Sequence, residues 1–326
     1  MTERVSIDEL FDRRLIYPDL DARKRFSRLV GIDEAKSRLM KLLGILVNPA
    51  GVREWASLHH KNAATLLDYV QRQPPLVVLA GDVGAGKTEL AESVGDAVAR
   101  QEKIDVTLFP LSLATRGSGM VGEMTQLLSA AFDAAIREAE KLSRGGDRKA
   151  TGAVILLVDE GDSLTESRQN QHMHHEDRAG VNTFIRGVDR MAQKRLPLAV
   201  ILCTNRLSAI DPAVRRRAAD VFEFGRPNAE QRRTVLSQPL QEIGFTEKQI
   251  DEVVQMTGES TTDGIGFTFS DLTQRLIPTL VLDAYPDGPI TFSRTVELIG
   301  QMHPTPQFRH DGAVVGAAVR EAKAKK

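Results

Sequence analysis

The chain has 326 residues, a formal net charge of −1, 27% charged and 41% hydrophobic residues, and one cysteine. That near-neutral balance gives no electrostatic reason to expect a nucleic-acid or membrane-surface partner, and 5% aromatics leave few platforms for stacking bases. A single thiol cannot build a disulfide framework, and no apolar run approaches the ~20 residues that cross a bilayer. The expectation is a cytoplasmic protein with one large core and one smaller one.

Residues 1–29 are charged and polar, without an apolar signal core, and too short to hold a core of their own. At Leu29-Val30-Gly31-Ile32-Asp33 the pattern changes and leads into a helix with Leu39, Leu42, Leu43 and Leu46. Five short apolar strands follow at Leu76–Ala80, Asp105–Pro110, Ala153–Val158, Leu198–Cys203 and Val221–Phe224. Helical stretches separate them, among them Met124–Leu142 with Leu128, Phe132, Ile136 and Ala139 on one side. Strands alternating with helices predict a five-stranded parallel sheet covered on both faces, within a large α/β domain over 30–227. Arg144–Lys149 reads as an exposed charged loop. After Pro227 no strand pattern recurs; Asn228–Gln231 and Thr246–Gln249 have the spacing of capping boxes, so 228–326 reads as a helical domain with a frayed basic tail.

The first strand runs directly into Gly81-Asp82-Val83-Gly84-Ala85-Gly86-Lys87-Thr88-Glu89, a G-x-x-x-x-G-K-T loop that opens a helix. Glycines let consecutive N–H groups converge on a phosphate, Lys87 reaches the β/γ-phosphates, and the Thr88 hydroxyl suits Mg²⁺. This loop binds a nucleoside triphosphate. The third strand ends in Asp159-Glu160, beside the loop at the carboxyl edge of the sheet. Asp159 is placed to hold hydrated Mg²⁺, and Glu160 to orient and deprotonate the attacking water. Asn205 closes the fourth strand. By itself an Asn there is turn chemistry; between the acidic pair and the next motif it becomes a candidate to touch the γ-phosphate or the water. Arg215-Arg216-Arg217 precede the fifth strand. A solvated helix end is the plain reading, and an arginine lent to a neighbour's γ-phosphate is the functional one. That second reading requires subunits joined head to tail, which closes into rings.

Together, Gly81–Thr88, Asp159-Glu160-x-Asp162-Ser163-Leu164, Thr204-Asn205-Arg206 and Ile210–Arg217 resemble the AAA subgroup of the AAA+ ATPases. The resemblance spans about Val30 to Tyr285 and implies ATP and Mg²⁺ as ligands, a P-loop large domain, and a helical lid. It implies Walker A and B motifs, Asn205 as sensor 1, Arg216 and Arg217 as in-trans fingers, and Gly31 in the adenine-contacting entry. Within that subgroup Arg178–Asp189 looks like the helix after Walker B in the pachytene-checkpoint ATPases, hexamers that remodel HORMA-domain proteins and have bacterial relatives in antiviral signalling. Gly119-Met120-Val121-Gly122-Glu123 matches the first pore loop, with Met120 where the family presents an aromatic side chain. Gly266–Leu272 resembles the lid version that lacks a sensor-2 arginine, and Arg275 lies one turn further. His172-Met173-His174-His175 aligns with the second pore loop; without a cysteine and in polar surroundings it reads as pore lining rather than a zinc site.

The expected function is a homo-hexameric ATPase that couples hydrolysis to remodelling a protein, with a HORMA-domain substrate suggested by the resemblance. The alternatives are an AAA+ nucleic-acid motor or loader, which the neutral charge disfavours, and a P-loop kinase, which needs neither Glu160 nor an in-trans arginine.

Overall fold

The structure is a computed structural model that describes residues 10–11, 13–112, 123–144, 149–162, 175–205, 210–259 and 264–307. In chain order, β1 (Leu15–Tyr17), α1 (Leu20–Arg28), α2 (Asp33–Val47), α3 (Pro49–His59) and α4 (Ala64–Gln71) lead to β2 (Leu76–Gly81). Then come α5 (Lys87–Glu102), β3 (Asp105–Ser112), α6 (Glu123–Leu142), β4 (Gly152–Asp159), α7 (His175–Lys194) and β5 (Leu198–Thr204). A single turn, α8 (Pro212–Arg215), precedes β6 (Asp220–Phe224). The rest is helical: α9 (Ala229–Glu242), α10 (Glu247–Met256), a π-helix at Asp271–Leu276 that continues into α11 (Ile277–Ala284), and α12 (Phe292–Gln301).

The strands form one sheet in the order β1-β3-β4-β5-β2-β6, parallel except at β1. β2 and β5 are buried at every residue because helices cover both faces, which explains why they read as continuous apolar runs. Alternate residues divide between two cores. Val78, Leu156 and Val200 face α6 and α7, where Leu128, Phe132, Phe184 and Val188 are fully buried. Val77, Leu79, Ile155 and Ile201 face α2 and α5, against Leu39, Leu43, Leu90 and Val94. This two-residue period sets which side of the sheet each helix covers, and each buried aliphatic side chain contributes about 1.5–3 kcal/mol.

Among the described residues six strands stand where five were expected, and the added one is antiparallel. β1 is three residues long, bounded by Arg14 and Pro18, so it is too short to display a period of two. Its partner lies some ninety positions away: Leu15 pairs with Leu108 and Tyr17 with Val106. The Tyr17 ring packs over Gly95 of α5 and its hydroxyl donates to the Glu92 carbonyl. Phe11 stacks on Phe109 with ring centroids 4.7 Å apart. The polar N-terminal segment therefore supplies Leu10, Phe11 and Tyr17 to the large domain's two cores.

Beyond Pro227 the helices share a separate core of Leu236, Leu240, Ile250, Val253, Phe267, Leu272, Leu276 and Leu298. Both anticipated capping boxes form, with reciprocal hydrogen bonds at Asn228/Gln231 and Thr246/Gln249.

Candidate functional site

The phosphate loop begins where β2 has no room for a side chain. Gly81 sits at φ +152°, and a Cβ there would lie 1.9 Å from the Phe224 carbonyl oxygen of β6. Gly86 closes the loop in the left-handed region at φ +87°, turning the chain into α5 so that the loop leads directly into the helix N-terminus, where an anion is favoured. Lys87 is buried. Its Nζ donates to the carbonyls of Gly81 (3.0 Å) and Asp82 (2.7 Å) and to Asn205 Oδ1 (2.9 Å). Burial pushes its pKa down, while nearby Asp162, Asp82 and Asp159 oppose that shift. Val83 and Ala85 complete the loop, the former exposed and the latter buried.

At the neighbouring strand end the Thr88 hydroxyl donates to Asp159 Oδ1 at 3.3 Å. Burial raises the Asp159 pKa, against the hydrogen bonds from the Glu160 N–H and Thr88. This hydroxyl and carboxylate form a small all-oxygen donor set suited to Mg²⁺ beside a triphosphate. Glu160 is exposed and holds φ +53°, a left-handed conformation that a non-glycine residue adopts only when its surroundings compel it. The compulsion comes from Gly161, whose N–H donates to the Cys203 carbonyl at 2.9 Å and whose missing Cβ leaves space for Leu202. Cys203 itself is buried, and burial pushes its thiol pKa well up, so it is an inert core thiol.

Asn205 is clamped from behind. Asp162 accepts from the Asn205 N–H (2.6 Å), the Asn205 side-chain amide (3.2 Å) and the Thr204 hydroxyl (2.7 Å). With its NH₂ turned to Asp162, the amide presents Oδ1 to Lys87 across 118 positions of sequence. The structure thus brings Gly81–Thr88, Asp159, Glu160 and Asn205 to one edge of the sheet. Glu89 turns away, its carboxylate 3.4 Å from Arg25 of α1. Gly31 lies on the linker before α2, its carbonyl accepting from Gln231 Nε2 at 2.5 Å; a Cβ there would meet Gln231 Cγ at 2.8 Å. A cavity of about 440 Å³ opens beside this contact, walled by Gly31, Ile32, Phe224, Gly225, Gln231 and Phe269.

The arginine cluster lies elsewhere. The Ala219 N–H donates to the Leu76 carbonyl, and Asp220 pairs with Val77, so Arg215–Arg217 stand at the start of β2 while the phosphate loop stands at its end. Five residues of strand rise separate them by roughly 17 Å. Arg215 and Arg216 are exposed, with no side-chain hydrogen bond among the described residues. Arg217 is held in its own chain by Asp189 of α7, through Nε (2.6 Å) and Nη2 (2.9 Å), and donates to the Ala213 carbonyl. Arg275 points to Asp271 and the His303 carbonyl within the helical domain. Met120, Val121, Arg206 and His172–His174 lie outside the described residues.

Two positioning groups escaped the sequence reading. Asp162 was visible only as the third residue after Asp159, with nothing local to assign it to Asn205. Arg226 gave no signal at all: its Nε donates to Asp82 Oδ2 at 2.6 Å, from 144 positions away.

Residues 77–226 match the ATPase family associated with various cellular activities (AAA). The chain is 57% identical over 308 residues, 94% of itself and 99% of the relative, to CD-NTase-associated protein 6 of Escherichia coli strain MS 115-1. The chain belongs to the AAA ATPases. Among solved structures, this AAA ATPase superposes with TM-score 0.81 on a chain of the E. coli MS115-1 HORMA:CdnC:Trip13 complex, at 56% identity over 93% of this chain and all of that one. Rhizobiales Trip13 matches with TM-score 0.70 and 51% identity, over 91% and 99% of the two chains. Membership makes the chain an ATP hydrolase. No helix of the described residues is long and apolar enough to cross a membrane.

Proposed function

We propose that this chain forms a cytoplasmic homo-hexameric ring that uses ATP hydrolysis to remodel a HORMA-domain protein in a CD-NTase-associated antiviral system. The observation that carries the ring is the placement of Arg216: exposed, and a strand's length from the phosphate loop of its own chain. A cation there meets a γ-phosphate only on a neighbour, as head-to-tail assembly requires. Arg217, braced by Asp189, anchors the same surface. The substrate class is supported by the 57% identical CD-NTase-associated relative and by the likeness to a chain from a HORMA-containing complex.

In the proposed chemistry the loop amides and Lys87 hold the triphosphate. Thr88 and Asp159 would hold Mg²⁺, which would supply positive charge beside the triphosphate. Glu160 takes a proton from water as the oxygen attacks the γ-phosphorus and ADP leaves with the bridging electrons. Asn205, its orientation set by Asp162, lines up the water or the γ-phosphate. Arg216 of the adjacent subunit stabilises the charge that develops on the transferred group. Residues 30–227 form the ATPase body and 228–326 the lid, whose rotation on loss of the γ-phosphate supplies the motion. Met120 and Val121 contact the polypeptide in the pore.

Glu160→Gln should lower kcat by ~10²–10⁴-fold while retaining ATP. Trapped with ATP, this variant should sediment as a ring and retain a purified HORMA-domain protein. Turnover at the wild-type rate overturns the role of Glu160. A ring that retains no HORMA protein overturns the substrate assignment alone.

A further inference from the structure

The phosphate loop carries a carboxylate, Asp82, at the position after its first glycine, where a triphosphate bearing several negative charges must be received. The Asp82 side chain is 14% exposed and that of Arg226 is 11% exposed, so the pair they form is largely withdrawn from water. Asp82 Oδ1 accepts the Val83 N–H at 2.9 Å, which braces the loop from within. Oδ2 accepts Arg226 Nε at 2.6 Å.

The other two nitrogens of that guanidinium reach a different part of the molecule. Nη1 donates to the Gly266 carbonyl (2.5 Å) and Nη2 to the Thr305 carbonyl (2.6 Å), both in the helical domain. Thr305 is itself secured, since its N–H (3.0 Å) and hydroxyl (2.7 Å) both donate to the buried Asp271. Asp271 also accepts the Thr268 N–H at 2.9 Å, and two residues on the Ser270 N–H donates to the Gly84 carbonyl at 3.1 Å. The contacts close a circuit from the phosphate loop to the lid and back. Arg226 sits on the connection itself, immediately before Pro227 and the Asn228 cap of α9.

We propose that Asp82 and Arg226 form a strut that neutralises the loop carboxylate and makes the lid angle follow the state of the phosphate loop. Arg226 is a positioning residue with two separable duties. Removing it leaves Asp82 desolvated and unpaired against the triphosphate, so nucleotide affinity falls. Cutting the strut at either end frees the lid from the loop, so the nucleotide state no longer reaches it. The inference rests on Gly81–Thr88 receiving the triphosphate and is independent of what the ring remodels.

The test uses the full chain, with spin labels at Lys103→Cys and Glu252→Cys, both exposed, while Cys203 is buried and unreactive. Mg·ATP affinity and the label-to-label distance are measured with ATP and with ADP. Arg226→Ala should weaken Mg·ATP binding by about 10- to 100-fold, the range for losing one buried charged hydrogen-bonded pair. Asp82→Ala placed on top of it should recover most of that loss. In both variants the label distance should be the same with ATP as with ADP, whereas it should differ in the parent. Wild-type affinity in Arg226→Ala, a double variant no tighter than the single one, or a lid distance that still switches in the double variant would each overturn the strut. A parent distance indifferent to nucleotide overturns it too. Arg226→Gln, which keeps a donor at the position of Nε but neither the charge nor the two Nη groups, gives the same affinity readout if the alanine variant does not fold. Lys87→Ala serves as the control that locates the nucleotide: if it binds Mg·ATP normally, the loop assignment fails rather than the strut.

Discussion

At the residue scale the proposed site is braced by carboxylates set behind it. Asp162 holds three donors from Thr204 and Asn205, and the result is an amide oxygen aimed at Lys87. Asp162→Ala leaves the phosphate loop intact but lets Asn205 rotate, so ATP affinity should stay within about twofold while kcat falls roughly 10- to 100-fold. Steady-state kinetics with Mg·ATP separates the two quantities, and a change in KM alone would refute the positioning role. The arrangement also shows why Asn205 could not be assigned from its own neighbourhood in sequence. A strand-closing Asn is ordinary turn chemistry; its place between the acidic pair and the arginine motif made it a candidate, and the contact with Lys87 gives it a partner.

At the scale of elements, the helical domain and the N-terminal strand each depend on one tightly held side chain. Asp271 begins the π-helix, fully buried. Burial pushes its pKa up, but the Thr268 N–H, the Thr305 hydroxyl and N–H, and Arg275 outweigh that and hold it down at about 2. A carboxylate whose folded pKa lies below its unfolded value stabilises the fold above pH 4, by about 2 kcal/mol here, and loses that contribution as the pH falls from about 4 to about 2. The stability gap between wild type and Asp271→Asn, read from urea midpoints, should therefore be widest near neutral pH and shrink below pH 4. A gap constant down to pH 2 would mean that the hydrogen bonds do not favour the ionised form. On the other side of the molecule, Tyr17 fills the space left by Gly95, where a Cβ would lie 2.4 Å from the ring. Gly95→Ala should displace Tyr17 and β1 and lower stability by about 1–3 kcal/mol, measurable by thermal melting. An unchanged melting temperature would show that the strand gives way freely.

At the scale of the whole molecule, loop and arginines stand at opposite ends of β2, and under the proposed ring a single chain would be an incomplete enzyme. Hydrolysis per subunit should fall as the protein is diluted below its assembly concentration. Arg216→Ala should lose about 10³-fold in rate, and mixing it with Lys87→Ala protein should restore part of that rate. The restored interfaces pair an intact loop from one variant with an intact arginine from the other. Mixed rings verified by sedimentation that remain inactive would rule out catalysis shared between subunits.

Much of this was legible in the order of residues because the phosphate loop, the acidic pair and the cap motifs are local. A strand run, a glycine turn and a helix start lie within a dozen positions, and the backbone conformation they demand is set by neighbours in sequence. The central strands β2, β4 and β5 announced themselves for a similar reason: burial on both faces requires uninterrupted apolar residues. What the linear text could not carry were pairings between distant positions with ordinary local chemistry. β1 depends on Leu108, Arg217 on Asp189, Asn205 on Asp162, and Arg226 on Asp82. In each case a short polar or mixed segment acquires its role only when the sheet brings its partner within hydrogen-bond distance. Sequence alone determined that the chain handles a triphosphate; only the folded sheet decided which charges hold the loop, the arginine surface and the lid in register, because electrostatic pairing depends on proximity in space and not along the chain.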